Sequence, residues 1–208
     1  MNIKIIDDFL LKEDFEKLCK LELKRLKNNE IHVYHNEISG NKIIKNDLLE
    51  KDFLFHLNKK YTDRGLEILR ELCPEKLSLY EYSDFTLIHT GSNYKFPIHD
   101  DTPNKLLSGV IYLKPEVNKG TFFYNDKEGN EKKEIEWKQN RAVFFARKEK
   151  KSWHSYEGDK NSPRIALVFN LMTTDISSVA KYEQTNFLST YVRFKINPYL
   201  YRFFNFTI

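Results

Sequence analysis

Lys105-Leu106-Leu107-Ser108-Gly109-Val110-Ile111-Tyr112-Leu113 reads as a β-strand, a run rich in apolar, β-branched and aromatic residues that ends just before Pro115. The same texture recurs on both sides of it, in residues 77–89, 121–124, 134–137, 142–146, 153–156 and 165–171, each set off by turn-like clusters. Short strands in succession, with no helical pattern between them, predict an antiparallel sandwich or barrel. A double-sheet jelly roll (a double-stranded β-helix) is one of the closed solutions for such a set.

Ahead of the strands the periodicity is helical. In residues 11–27, Leu11, Phe15, Leu18, Cys19, Leu23 and Leu26 recur at three- and four-residue spacings, with Glu13/Lys17 and Glu16/Lys20 pairs on the other side. A second helix is expected over about residues 62–72, through Leu66, Leu69 and Leu72, with Cys73-Pro74 as its stop. The expectation is a mostly β fold with flanking α-helices packed on the outside of one sheet. A single domain over 1–208 would then comprise a helical part of about 1–74, a jelly-roll core of about 77–172 and a C-terminal extension of about 175–208.

Composition narrows the function. Lys and Arg outnumber Asp and Glu by 34 to 30, with both signs spread along the chain, so a dedicated nucleic-acid binder is not expected. Apolar residues at 40% and aromatics at 14% exclude a disordered chain. Cys19 and Cys73 cannot build a disulfide framework or a zinc site, and neither a signal peptide nor a membrane span of about 18 apolar residues is visible. A cytoplasmic protein is expected. The stretch 191–208 is aromatic and basic, and is expected to pack on the protein's own helices or sheet, or to form a homodimer contact, rather than to bind a membrane.

The chemistry concentrates in Phe96-Pro97-Ile98-His99-Asp100-Asp101. Residues two apart on a strand share a face, so His99 and Asp101 point together and Asp100 points away. An imidazole and a carboxylate on one face can take adjacent positions on a divalent ion. His154, the only histidine after Asp101, is the candidate third ligand of a two-His-one-carboxylate triad, whose open positions suit Fe(II) and dioxygen. Arg164 then opens the apolar run Ile165-Ala166-Leu167-Val168-Phe169-Asn170. An enclosed guanidinium calls for a carboxylate partner, and its planar fork suits a bidentate one. His32 and His35 fall in a polar connecting region and His56 in an apolar-flanked helix, so surface or packing roles are expected for them. Tyr94 is a candidate for the substrate entrance, and Trp153 for the core.

Together these segments resemble the Fe(II)/2-oxoglutarate-dependent oxygenase superfamily, in particular its prolyl-4-hydroxylase-like branch. The resemblance covers roughly residues 77–172. Its carriers are His99-Asp100-Asp101-Thr102-Pro103, Ser108-Gly109-Val110-Ile111-Tyr112-Leu113, Gly120-Thr121-Phe122-Phe123, Asn140-Arg141-Ala142-Val143-Phe144-Phe145, Trp153-His154 and Pro163-Arg164, with the opening Ile5-Ile6-Asp7-Asp8-Phe9-Leu10 as the usual strand and helix entry. It implies iron held by His99, Asp101 and His154, and the distal carboxylate of 2-oxoglutarate held by Arg164, with the Tyr112 hydroxyl on the same carboxylate. Where relatives carry a tyrosine before the first ligand this chain has His89, and where they carry a threonine after the arginine it has Val168, so the rest of the co-substrate pocket departs from the pattern. The implied activity is a dioxygenase that consumes 2-oxoglutarate and O2, with ascorbate as a supporting reductant, releases succinate and CO2, and hydroxylates a C–H bond of a peptidyl (prolyl-like) or small-molecule substrate. The alternatives are a cupin-like jelly-roll metalloprotein that does not use 2-oxoglutarate, against which Arg164 speaks, and a non-catalytic binding module.

Overall fold

The structure, a computed structural model, describes the backbone of residues 2–204 and the side chains of residues 2–196. In chain order its elements are β1 (Ile3–Ile6), α1 (Lys12–Cys19), β2 (Ile31–Tyr34), β3 (Asn36–Ser39), β4 (Lys42–Asn46), α2 (Lys51–Leu72), a 3-10 turn (Pro74–Leu79), β5 (Tyr82–Thr90), β6 (Lys95–His99), β7 (Lys105–Lys114), β8 (Thr121–Phe123), β9 (Lys133–Ile135), β10 (Ala142–Ala146), β11 (His154–Glu157), β12 (Arg164–Met172), α3 (Ile176–Tyr182) and α4 (Phe187–Phe204). The strands form two antiparallel sheets. The larger runs β1-β10-β7-β12-β5-β3-β4, with β2 also on β5, and the smaller runs β6-β11-β8-β9. From β5 onward the chain passes back and forth between the two sheets, which makes a jelly roll.

Alternation along the central strands divides the molecule into two chemistries. Leu107, Ile111 and Leu113 of β7, Leu167, Phe169 and Leu171 of β12, and Phe85 and Leu87 of β5 share one face and form a core with Leu54, Leu57, Tyr61, Ile68 and Leu69 of α2. Phe85 and Phe169 stack there with centroids 4.8 Å apart. Each such side chain contributes about 1.5–3 kcal/mol on burial, so this face cannot be left without its helix. Gly109 is required on it, because a Cβ there would lie 2.3 Å from the ring of Phe144. The opposite face, turned to the small sheet, carries Ser108, Val110 and Tyr112 of β7 and Arg164, Ala166, Val168 and Asn170 of β12.

The expected strands from residue 105 onward are present within a residue or two of their predicted ends. The N-terminal third differs from expectation. α1 stops at Cys19 rather than near residue 27, and Leu21 and Leu23, alternating with exposed Glu22 and Lys24, lie on the core as an extended segment. Leucines at such spacings satisfy either period, and the contacts choose. The second helix starts at Lys51, not near Thr62, and buries Phe53, Leu54 and Leu57 in its first turns. Residues 31–46 are strands, not a polar connection: β3 and β4 form a hairpin turned at Gly40 (φ 54°) whose β3 pairs with β5, so tertiary pairing overrides their polar composition. The 77–89 run begins inside the 3-10 turn, and its strand starts at Tyr82. In the C-terminal extension Arg193 reaches Glu149 and Asp100, while Tyr191 is exposed; the side chains from 197 onward, and residues 205–208 entirely, lie outside the described residues. No described helix is long and apolar enough to cross a membrane.

Candidate metal centre

β6 and β11 are neighbours, and their register sets His154 directly across from His99, with ring centroids 4.1 Å apart. Asp101 comes from the loop after β6. One of its oxygens lies 3.9 Å from His99 Nε2 and the other 4.0 Å from His154 Nε2, and the three ligand atoms fall within 4.8 Å of one another. Each imidazole is oriented by its own backbone: the His99 Nδ1–H donates to Pro97 O (3.0 Å) and the His154 Nδ1–H to Ser152 O (2.8 Å). These bonds select the tautomer that leaves an Nε2 lone pair aimed at the shared space. Phe96, Phe123 and Phe145 wall the two rings from water.

Burial, then the neighbouring His154, pushes His99 down to about 3, so its ring is a neutral base at ordinary pH. Burial works against an ionised Asp101, but Lys105 and the two imidazoles outweigh it and hold the carboxyl well below the usual range. Lys105 Nζ donates to one Asp101 oxygen at 2.7 Å and Ser108 Oγ to the other at 2.6 Å. Neither residue was singled out from the sequence, although Lys105 is four positions from Asp101, an ordinary ion-pair spacing in a turn.

Strand alternation is not what separates Asp100 from Asp101, since β6 ends at His99 and both aspartates lie beyond it. The partners do so instead. Asp100 turns into a buried charge network, accepting from Ser152 Oγ and from Lys150 N (2.8 Å), with Arg147 Nη2 at 3.6 Å. Arg147, fully buried, also donates to the backbone carbonyl of Asp101 at 3.1 Å and pairs with Glu183, which in turn binds Lys76 at 2.5 Å. This cluster holds the loop through the Asp100 carboxylate and the Asp101 carbonyl.

Arg164 opens β12 on the inner face, 2% exposed. Its guanidinium carbon lies 4.2 Å from the ring centroid of Tyr156, 5.2 Å from Trp137 and 5.6 Å from Tyr112. Its Nε and Nη2 have no hydrogen-bond partner, and among the described residues no carboxylate pairs with it. Burial without a counter-ion lowers its proton affinity. A buried, unpaired guanidinium costs several kcal/mol unless an anion completes it.

Tyr112 stands otherwise than expected: its hydroxyl accepts from Thr121 N (2.9 Å) and donates to Thr121 Oγ1 (3.0 Å), so only its ring, stacked on Trp137, borders the arginine. The phenol left without a hydrogen bond of ordinary geometry is that of Tyr156, a residue that sequence reasoning did not select. Nothing in the sequence distinguishes it, because its position depends on the register of β11 with β6. His89 pairs in register with Ile165 and shares the helix-facing side, away from Arg164, whereas Val168 is on the inner face. Trp153 is buried, and Tyr94 rests near Phe96 and Tyr156. His56 bonds Asp14 at 2.9 Å, away from the centre.

No protein-family model matches the chain, and no curated protein matches it either. Solved structures do. A 2OG-Fe(II) oxygenase family oxidoreductase from Burkholderia pseudomallei matches with a TM-score of 0.57 at 11% identity, covering 82% of this chain and 84% of that one. The viral collagen prolyl hydroxylase of Paramecium bursaria Chlorella virus-1, in its 2OG complex, matches at 0.56 and 14%, covering 84% and 97%. A prolyl hydroxylase from Trichoplax adhaerens, in complex with a peptide fragment of the hypoxia inducible factor oxygen degradation domain, matches at 0.53 and 14%, covering 86% of each. At such identity the likeness is one of fold, and it is the fold that the jelly-roll reading expects.

Proposed function

We propose that this chain is an Fe(II)- and 2-oxoglutarate-dependent dioxygenase that hydroxylates a C–H bond of a peptidyl or small-molecule substrate. The observation that carries the reading is the pairing of two complementary deficits between the two sheets: a His–Asp–His cluster with converging lone pairs, and a buried guanidinium without its anion. The donors fit the groups. His99 and His154 offer Nε2 atoms and Asp101 an ionised carboxylate, the set that suits iron with open positions. The two orphaned N–H groups of Arg164 fit a dicarboxylate's far end, with the Tyr156 hydroxyl as an added donor.

Iron held there with 2-oxoglutarate and dioxygen would supply the oxidising power for the substrate, with 2-oxoglutarate converted to succinate and CO2. The chain's own part is to orient and shield. Lys105 and Ser108 keep Asp101 ionised and aimed, Arg147 holds the backbone behind it, and Phe96, Phe123 and Phe145 keep water away from the reacting position. Structures of the same fold include one with 2OG and one with a peptide, which supports both the co-substrate and a peptidyl substrate class. A cupin-like centre without 2-oxoglutarate leaves Arg164 unexplained.

The test is succinate formation by the metal-stripped chain given Fe(II), 2-oxoglutarate, ascorbate and air, first alone and then against prolyl peptides and small-molecule candidates. Turnover that needs both iron and 2-oxoglutarate is expected. Iron that binds at the triad without any measurable 2-oxoglutarate binding would sink the proposal.

A further inference from the structure

We propose that His35, Glu37 and Asp84 form a second cation site, for a first-row divalent ion, on the inner face of the larger sheet, the face whose Ser108 bonds Asp101. β3 pairs with β5 so that Glu37 stands opposite Asp84, and His35 sits at the junction of β2 and β3. One ligand atom from each residue lies within 4.8 Å of the others. The polar row continues through Asn170 to Ser108, the residue that bonds Asp101. With neighbouring strands about 4.8 Å apart, Asp84 and Ser108 stand roughly 10 Å from each other, so the two centres face the same space without sharing a ligand.

A solvated acidic edge is the plain alternative, and three observations weigh against it. Asp84 is 6% exposed and Asn170 1%. The Asn170 amide is directed at the cluster, donating to Asp84 at 3.0 Å, while its Oδ1 is buried with no partner, an acceptor awaiting a cation or a donor. The half-buried Glu37 carboxylate makes no hydrogen bond or ion pair among the described residues, while Lys45 pairs with Asp47 and Lys105 is engaged by Asp101. Burial outweighs the nearby Lys105 and Lys45 and pushes Asp84 up to about 6 and raises Glu37, a cost that a divalent ion removes.

The donor chemistry selects the class of ion. Thr86 donates its hydroxyl hydrogen to Asp84 (2.5 Å), so its 3.2 Å contact with His35 Nδ1 is an Nδ1–H donation, and Nε2 remains the basic nitrogen. Burial keeps that ring neutral. One imidazole with two carboxylates suits Mn(II), Fe(II) or Zn(II) better than an all-oxygen ion such as Ca(II). Bound there, the ion ties the β2–β3 junction to β5.

Mn(II) alone is the probe, counted by equilibrium dialysis of the metal-stripped full chain at up to millimolar free ion. Two ions per chain are expected for the wild type, one for Glu37→Gln/Asp84→Asn, and one for His99→Ala/His154→Ala. A wild type that binds one ion, lost in His99→Ala/His154→Ala, overturns the proposal while leaving the oxygenase reading intact. So does a Glu37→Gln/Asp84→Asn variant that keeps two. If that double variant fails to fold by circular dichroism, Glu37→Gln alone must weaken one of the two ions by at least about tenfold, and undiminished binding there also overturns the proposal.

Discussion

His154 stands across the β6–β11 seam from His99, 4.1 Å between ring centroids, although four strands intervene between them in the chain. Two candidate ligands from adjacent strands and a third, Asp101, from the loop after β6 make a cluster that no local segment could assemble. His154→Ala should therefore keep its fold and lose most bound Fe(II), because two remaining ligands hold the ion weakly. Iron content and succinate formation measured together check this, and full values of both in the variant would remove His154 from the site.

The neighbouring aspartates should separate cleanly. Asp101→Ala is expected to lose metal with little loss of stability beyond its bonds to Lys105 and Ser108. Asp100→Ala leaves Arg147 short of a buried partner and should cost about 3–5 kcal/mol of stability while retaining the metal. Thermal unfolding alongside metal stoichiometry distinguishes them, and an Asp100→Ala protein of wild-type stability with an empty centre would reverse the assignment.

Arg164→Ala should weaken 2-oxoglutarate binding by about 2–5 kcal/mol, that is roughly 30-fold or more, with metal affinity unchanged. Arg164→Lys restores the charge without the fork and should recover only part. Titration calorimetry with 2-oxoglutarate in the presence of Mn(II) gives the answer, and equal affinity in wild type and Arg164→Ala would mean that the arginine is structural.

The two tyrosines beside Arg164 are expected to part company. Tyr156→Phe should raise the 2-oxoglutarate requirement with little change in stability, since its hydroxyl makes no hydrogen bond of ordinary geometry within the chain. Tyr112→Phe strands the buried Thr121 amide and should cost about 1–3 kcal/mol in stability instead. The opposite pattern in paired melting and KM measurements would restore the co-substrate role to Tyr112.

Asp84 sets a pH dependence. Its folded value, raised by burial to about 6, lies above the ordinary 3.8, so between these values the folded chain holds a proton that the unfolded chain has released. Its contribution is therefore present at low pH and is lost as pH rises through that window, by about 3 kcal/mol in total. In chelator, Asp84→Asn should remove this fall, so that its stability relative to wild type grows from pH 4 to pH 7. Parallel denaturation curves for the two proteins across that range would refute the shift.

Strands such as 105–113, 142–146 and 165–171 were legible in the sequence because burial on both faces demands near-continuous apolar residues of strand-forming shape. His99, Asp101, His154 and Arg164 could be picked out because metal and carboxylate chemistry admits few residue types, and a lone charge in an apolar run announces itself. What the tertiary structure alone decided depends on register and desolvation. The polar β2–β4 strands exist because β5 has an edge to pair with. Asp101 is aimed by Lys105, Ser108 and Arg147 rather than by a strand that ends at His99. Tyr156 brings its ring to the guanidinium while the Tyr112 hydroxyl is taken up by Thr121, and His35 and Glu37 meet Asp84 only because β3 lies against β5. Residue type is a local property and can be read from a string; a partner brought from a distant strand, and the water lost when it arrives, cannot.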